Sequence, residues 1–185
     1  YNFKKPVDDR QADGAYTGMW RLKENATRNG NLYPTHGLGP ICQVLNVNRG
    51  DRLEYLSSVS TNDFSMAGRE KELAAQDPFY EPWKNSGFRG NLNTTIIRTA
   101  LGKSIMVQHD VSSTQPYSRI HLVKGTNGMA VKYPRELIAL GEDWLNDEEM
   151  TNLWAEKTPE IIKRVGEMAK AVGGHGGMDF IMDWR

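Results

Sequence analysis

Asn91-Leu-Asn-Thr-Thr-Ile-Ile-Arg-Thr99 and Ser104-Ile-Met-Val-Gln-His-Asp-Val-Ser112 are two runs rich in β-forming residues, and they decide the fold of this chain. The four residues 100–103, Ala-Leu-Gly-Lys, lie between them and include a glycine suited to a turn. Two runs of this composition, separated by so short a connection, predict a β-hairpin. Because parallel strands need a much longer crossover, the two strands should pair antiparallel.

The sequence on either side of this hairpin predicts further strands and helices. The runs on the N-terminal and C-terminal sides show alternating or helical apolar spacing, without the strand–helix–strand spacing of a parallel sheet. We therefore predict an α+β fold, with an open, mainly antiparallel sheet as one meander and helices on one face. The predicted strands are 52–60, 91–99, 104–112, 118–124 and 129–133, and the predicted helices are 41–49, 65–75, 147–156 and 159–172.

Length and charge limit the classes of function. The 185 residues, with 38% apolar and 25% charged side chains, suit one globular domain with its own core. Lysine plus arginine equals aspartate plus glutamate at 23 each, so we expect no nucleic-acid partner, which usually needs a basic face. The apolar runs are too short to span a bilayer, so we expect no membrane partner. The compartment stays open, with a periplasmic or exported location of a full-length protein as one alternative.

The segment Asn31-Leu-Tyr-Pro-Thr-His-Gly-Leu-Gly-Pro40 is the first candidate functional site. It places a phenol, Tyr33, three residues before an imidazole, His36. Pro40 suits the first turn of a helix, so His36 should lie near a helix N-terminus, where the dipole disfavours a positive charge. A neutral imidazole beside a tyrosine can transfer protons. The alternative interpretation is that Tyr33 only packs and that His36 only caps the loop.

Three further residues are candidates, each with a structural alternative. Arg21 has a planar fork of donors suited to sugar hydroxyls or an acyl carbonyl, or it forms a surface ion pair. Tyr117 follows a proline at the start of a predicted strand, where it reaches a cleft or only lines a rim. His175 lies within Gly173-Gly-His-Gly-Gly177, which is an active-site segment or a turn that ends a helix. No histidine or cysteine pair has common metal-ligand spacing, so we predict no metal site.

Two motifs of common enzymes are missing from the sequence. Ordinary glycosidases place two carboxylates across the bond that they cut, yet residues 31–40 contain no acidic residue. The sequence also lacks a Gly-x-Gly-x-x-Gly motif after a strand. This chain by itself therefore does not hold a dinucleotide in the usual way.

Five segments together resemble glycoside hydrolase family 109, and the similarity extends from about Gly14 onward. The Tyr-Pro-Thr-His-Gly-Leu-Gly-Pro string within the first of them is long enough to be specific. The segments are 19–40, Asn46-Val-Asn-Arg-Gly-Asp51, Gln108-His-Asp110, Pro116-Tyr-Ser-Arg-Ile-His121 and Gly173-Gly-His-Gly-Gly-Met-Asp-Phe180.

The resemblance implies a two-part enzyme. The family comprises NAD-dependent α-N-acetylgalactosaminidases within the wider Gfo/Idh/MocA oxidoreductase group, with an N-terminal Rossmann domain and a C-terminal α+β domain. It implies that residues 1–185 are a substrate-binding C-terminal domain fragment, that the Rossmann domain is absent from this chain, and that the fragment alone is inactive. The main contacts to NAD would lie on the absent domain, so no cofactor-binding residue is assigned here.

The resemblance also implies a mechanism and a set of site residues. Bound NAD takes hydride from C3 of the sugar, a base removes the proton on C2, the glycosidic bond breaks by elimination, water adds, and hydride returns. This route needs tyrosine and histidine and no pair of carboxylates. The residues implied to bind substrate are Arg21, Tyr33, Pro34, Thr35, His36 and Tyr117; Tyr33 and His36 would transfer protons, and His175 would lie behind them.

Two other functions compete with the glycosidase. One is a plain sugar dehydrogenase of the same oxidoreductase group, which uses the same site with net hydride transfer. The other is a non-catalytic module that binds sugar or forms a homo-oligomer. In that case the open sheet face, with Arg119 and His121 exposed, would pair with a second copy of the chain.

Overall fold

The computed structural model describes Phe3 and residues 19–172. The chain divides into two compact units, residues 1–121 and 122–185, and each is described by itself. The glycine-rich segment around His175, for which the sequence offers two interpretations, lies outside the described residues. The elements are α1 (Trp20–Thr27), α2 (Thr35–Val44), β1 (Leu53–Ser60), α3 (Met66–Gln76), a 3₁₀ helix (Pro78–Trp83), β2 (Leu92–Thr99), β3 (Ser104–Asp110), β4 (His121–Gly125), β5 (Gly128–Lys132), β6 (Leu137–Leu140), β7 (Asp143–Trp144), α4 (Asp147–Lys157) and α5 (Glu160–Val172).

The predicted hairpin is confirmed as β2 and β3. The strands pair antiparallel, with Ile96 opposite Met106 and Ile97 opposite Ile105. Strand β1 pairs antiparallel with the other side of β2, which gives a three-stranded sheet in the order β1-β2-β3. The β-branched residues fit this sheet because their stiff side chains pack well on a pleated surface.

The α+β class with antiparallel sheets is confirmed, but the strands form two sheets and not one continuous meander. Strands β4 to β7 make a second, four-stranded sheet in chain order. Residues 111–120, which separate β3 from β4, contain no strand. The sequence did not predict β6 and β7 because runs of four and two residues carry almost no periodic signal.

One face of the three-stranded sheet is covered and the other is open. Leu38, Ile41 and Leu45 on and just after α2 pack against Ile97, Ile105 and Val107. Full burial of an aliphatic side chain stabilises a fold by roughly 1.5–3 kcal/mol, and the partial burial of Leu38, Ile41 and Leu45 contributes a share of this to holding α2 on the sheet. The opposite face carries exposed apolar side chains, namely Tyr55, Val59, Ile96 and Met106.

A second core cluster joins α1, α3 and the 3₁₀ helix. Its buried members are Met19, Leu22, Met66, Ala74 and Tyr80. The N-terminus of α3 is capped by the carboxylate of Asp63, which accepts the backbone N–H groups of Ser65, Met66 and Ala67. The predicted helix 65–75 is thus confirmed within a residue, whereas the loop predicted from Gln76 onward contains a 3₁₀ turn.

The Asn46–Asp51 motif forms a tight turn. Asn46 and Asn48 have positive φ angles of 57° and 61°, a conformation that asparagine tolerates better than most residues. Burial opposes ionisation of the Asp51 carboxyl, but hydrogen bonds from Thr99, Leu101, Arg52 and Lys103 outweigh it and lower its pKa to about 2. Lys103 Nζ lies 3.2 Å from Asp51 Oδ2, so the motif ties this turn to the β2–β3 connection.

The second unit contains the two predicted C-terminal helices. Helix α4 begins with a capping box, in which Asn146 accepts from the Glu149 N–H and the Glu149 carboxylate accepts from the Asn146 N–H. Helix α5 buries Val165 and Ala169, four residues apart on one helical face. Both predicted helices, 147–156 and 159–172, are confirmed to within one residue.

Candidate functional site

Helix α1, which the sequence did not predict, carries Arg21. The Nδ2 group of Asn25 donates to the carbonyl oxygen of Arg21 at 2.6 Å, one turn apart on the helix. The Arg21 guanidinium lies over two aromatic rings, with its Cζ 4.7 Å from the ring centroid of Trp20 and 6.0 Å from that of Tyr33. Cations at these distances are attracted to the face of an aromatic ring.

Helix α2 begins at Thr35, directly after Tyr33 and Pro34, so the predicted helix 41–49 is wrong in its bounds. Pro40 lies inside the helix and not at its start, and the helix ends at Val44. The prediction that His36 lies near a helix N-terminus is confirmed, because it is the second residue of α2. The amide N–H of Tyr33 donates to Asn31 Oδ1 at 3.0 Å, which fixes the chain just before the helix.

The structure brings Arg21, Tyr33 and His36 into one group. The ring centroids of Tyr33 and His36 are 4.8 Å apart, with an angle of 39° between the ring planes. Tyr33 is 50% exposed, Pro34 and Thr35 are also exposed, and His36 is half-buried. A ligand therefore has access to the phenol, while the imidazole is held beside it. This arrangement can donate and accept protons and can hydrogen-bond a polar ligand.

Tyr117 lies on the 111–120 segment, and its side chain is 68% exposed. Arg119 is half-buried, and its Cζ lies 5.6 Å from the Tyr117 ring centroid. Neither Arg119 nor His121 lies on the exposed face of the three-stranded sheet, and both are half-buried. The expectation that these two residues are exposed on an open sheet face is therefore wrong; Arg119 lies in the segment before β4, and His121 is the first residue of β4.

His121, which the sequence suggested only for an oligomer interface, contacts this site. Its Nε2 lies 3.0 Å from the main-chain oxygen of His36, a contact between residues 85 positions apart. The contact brings the end of the 111–120 segment to the first turn of α2. The feature of the sequence that could have indicated this contact is Pro40. A proline has no N–H, so it cannot donate to the carbonyl of His36, four residues before it.

A polar group, which we call the Arg89 cluster, lies in the same unit. It consists of the buried Asn25, Arg89 and Gly90 and the half-buried His109 and Asp110. Arg89 is 3% exposed, and its Nε donates to Asn25 Oδ1 at 2.5 Å while Nη1 donates to the Gly90 oxygen at 3.1 Å. The backbone N–H of Arg89 donates to the main-chain oxygen of Asn25 at 2.8 Å. These bonds attach α1 to the chain that enters β2.

Within this cluster, His109 has the pKa that is shifted furthest from its ordinary value. Burial, reinforced by the positive charge of Arg89, lowers the pKa of His109 to about 4, and the charge of Asp110 opposes this only in part. Burial raises the pKa of Asp110, but hydrogen bonds from Ser113 and Ser112 and the charge of Arg89 lower it overall. His109 is therefore neutral and Asp110 ionised near neutral pH.

Among Phe3 and residues 19–172, no three histidine, cysteine, aspartate or glutamate side chains are grouped so that they could hold a metal ion. None of the helices within those residues has the length and apolar content needed to cross a bilayer. His175 lies outside the described residues, so the prediction for it stays a prediction.

Comparison with known proteins gives consistent matches. The family model described as "Glycosyl hydrolase 109, C-terminal domain" matches residues 5–185. Glycosyl hydrolase family 109 protein 2 of Shewanella sp. strain ANA-3 is 46% identical over 176 residues, which cover 91% of this chain and 38% of that protein. The family 109 protein of Shewanella baltica strain OS155 is 41% identical over 174 residues, and that of Shewanella amazonensis is 40% identical over 175, with the same coverage.

These matches and the α+β fold define the class of the chain, which is a C-terminal domain of a glycosyl hydrolase family. The chain belongs to glycosyl hydrolase family 109, and it corresponds to the C-terminal domain of that family. The resemblance read from the sequence motifs is thereby confirmed. The chain spans 38% of the length of the curated relatives that it matches.

Proposed function

We propose that this chain is the substrate-binding part of an NAD-dependent retaining glycosidase that cleaves α-linked N-acetylgalactosamine. The observation that carries the proposal is the half-exposed Tyr33–His36 ring pair at the start of α2, with the Arg21 guanidinium beside it. Membership of glycosyl hydrolase family 109 supports the glycosidase class. The bond type, the sugar and the cofactor are part of the proposal.

The described residues do not fit a dinucleotide. Both sheets lack the parallel strand–helix–strand unit that holds a pyrophosphate at a helix N-terminus. We therefore place NAD on a domain outside this chain, which agrees with the greater length of the relatives. When bound there, NAD would supply a reversible acceptor of hydride. The isolated chain should have no turnover.

The residues of this chain have roles in binding and in proton transfer. Arg21 presents several N–H donors in a fixed plane, suited to sugar hydroxyls or the acetamido carbonyl. Tyr33 and His36 would move protons at C2 and at the C3 hydroxyl of the sugar, and holding them in place lowers the entropic part of the barrier. Pro34, Thr35 and Tyr117 would line the sugar.

An assay of the full-length protein separates the candidate enzymes. With NAD and nitrophenyl α-N-acetylgalactosaminide, we expect nitrophenol release without net formation of NADH. Net NADH without nitrophenol would favour the sugar dehydrogenase. If the sugar binds but neither product forms, the chain is a non-catalytic sugar-binding module, and the enzymatic proposal is overturned.

We also propose that the open face of the three-stranded sheet pairs with a second copy of the chain. The exposed fractions of Tyr55, Val59, Ile96 and Met106 are 63%, 69%, 47% and 64%, and the strand register places all four on one face. Large exposed apolar side chains grouped on one face of a sheet are typical of interfaces. Light scattering should give a dimer or larger species that Met106→Lys dissociates. A wild-type protein that is strictly monomeric would contradict the pairing.

A further inference from the structure

Pro40 changes the hydrogen bonding of the first turn of α2 at the main-chain carbonyl of His36. In a helix, the carbonyl of each residue accepts the N–H of the residue four positions later. For His36 that residue is Pro40, which lies inside α2 and has no N–H. This one intrahelical hydrogen bond to the His36 carbonyl therefore cannot form.

His121 forms a hydrogen bond with this carbonyl. Its Nε2 lies 3.0 Å from the His36 oxygen, within hydrogen-bond distance. A carbonyl oxygen can only accept, so Nε2 must carry the hydrogen of the bond. In the neutral ring this fixes the tautomer, with the proton on Nε2 and the lone pair on Nδ1.

The bond connects two segments that the proposed function assigns to the sugar. On one side is His36 itself, whose imidazole lies 4.8 Å from the Tyr33 ring, centroid to centroid. On the other side is the 111–120 segment, which carries the exposed Tyr117 and ends directly at His121.

We propose that His121 is a positioning residue of the sugar site: its Nε2–H group holds the His36 carbonyl and thereby fixes the first turn of α2 against the segment that carries Tyr117. The inference rests on the proposed glycosidase function. His121 acts through His36 and does not contact the reacting atoms. Small displacements of a catalytic group slow a reaction strongly, about 10²-fold for 1 Å, so loss of this bond should lower turnover.

The test uses the full-length protein with NAD and four variants. His121→Phe keeps a ring but removes the donor, and His121→Asn leaves an amide too short to reach the carbonyl. His121→Gln places an amide N–H close to the position of the histidine Nε2. Leu122→Phe is the matched control, because the next residue along β4 points to the opposite side of the strand.

We expect His121→Phe and His121→Asn to lower kcat by about 10-fold or more, with KM changed less than about 3-fold. His121→Gln should recover most of kcat, and Leu122→Phe should stay within about 2-fold of wild type. Equal kcat for the Asn and Gln variants would overturn the proposal, because the two differ in whether the donor reaches the carbonyl.

A second measurement does not depend on activity. In histidine-labelled protein, NMR should show that the ring resonances of His36 shift in His121→Asn and return toward wild type in His121→Gln. If the wild-type protein has no glycosidase activity, the proposed function fails while this measurement still tests the bond. If the His36 resonances are the same in all three proteins, His121 does not position His36.

Discussion

The Tyr33–His36 pair and the Arg89 cluster lie in the same unit of the chain but differ in the exposure of their polar groups to solvent. The phenol of Tyr33 is 50% exposed, whereas Arg89 is 3% exposed and bonded by the protein itself. His36 lies at the start of a helix beside an accessible ring, and His109 is held neutral by burial and by Arg89. A ligand therefore has access to the Tyr33–His36 pair, whereas the Arg89 cluster attaches α1 to the chain that enters β2.

This difference separates two kinds of mutational effect. Removing a buried polar partner leaves the other group unsatisfied, at a cost of about 1–3 kcal/mol of stability. Truncating a half-exposed side chain leaves no such group and costs little stability. Substitutions in the pair should therefore change turnover, and substitutions in the cluster should change stability.

The largest expected effect is a loss of turnover on substitution in the Tyr33–His36 pair. His36→Ala in the full-length protein should lower turnover by about 10²-fold or more, because a general acid–base group is lost. The free energy of unfolding should change by less than about 1 kcal/mol. Steady-state kinetics and urea denaturation measure the two quantities. Near-normal turnover would mean that His36 has a structural role only.

A smaller effect, on stability, is expected at the Arg89 cluster. A Cβ added to Gly90 would lie 1.7 Å from the backbone oxygen of Thr61, so Gly90→Ala should destabilise the protein by about 3 kcal/mol. Gly87→Ala is the matched control, since a Cβ there meets nothing within 4 Å, and it should be neutral or stabilising by up to about 1 kcal/mol. Equal midpoints of thermal unfolding for the two variants would contradict this packing.

The smallest expected effect is on the pH dependence of stability, through His109. The pKa of His109 is about 4 in the folded chain against 6.5 for an ordinary histidine, so the unfolded chain binds more protons between these values. Stability should therefore fall as pH decreases from 6.5 to 4. His109→Gln, which cannot titrate, should flatten that part of the pH profile of urea unfolding. An unchanged slope would show that His109 is not held neutral in the fold.

Much of the fold follows from local sequence, and the exceptions have physical causes. The β2–β3 hairpin and α5 were predictable because β-branched runs and regular apolar spacing act locally. The start of α2 was not, because Gly37, Gly39 and Pro40 are poor helix formers. Packing of Leu38, Ile41 and Leu45 on the sheet overrides that preference.

The candidate site was predictable only in part. The Tyr33–His36 spacing is short, so their proximity follows from local sequence, and the resemblance to the family supplied their proposed roles. The approach of Arg21 to Tyr33 depends on how α1 lies, which the Arg89 cluster fixes through Asn25. The bond from His121 to His36 spans 85 positions, and local patterns do not predict a contact at that distance.

Proton transfer by the Tyr33–His36 pair is tested most directly by turnover in D₂O. The full-length protein with NAD should release N-acetylgalactosamine that carries deuterium on C2, detected by mass spectrometry and NMR of the product. The His36→Ala and Tyr33→Phe variants should make far less of this product. Release of the sugar at a normal rate with no deuterium on C2 would contradict the account, because no base would then have acted at that carbon.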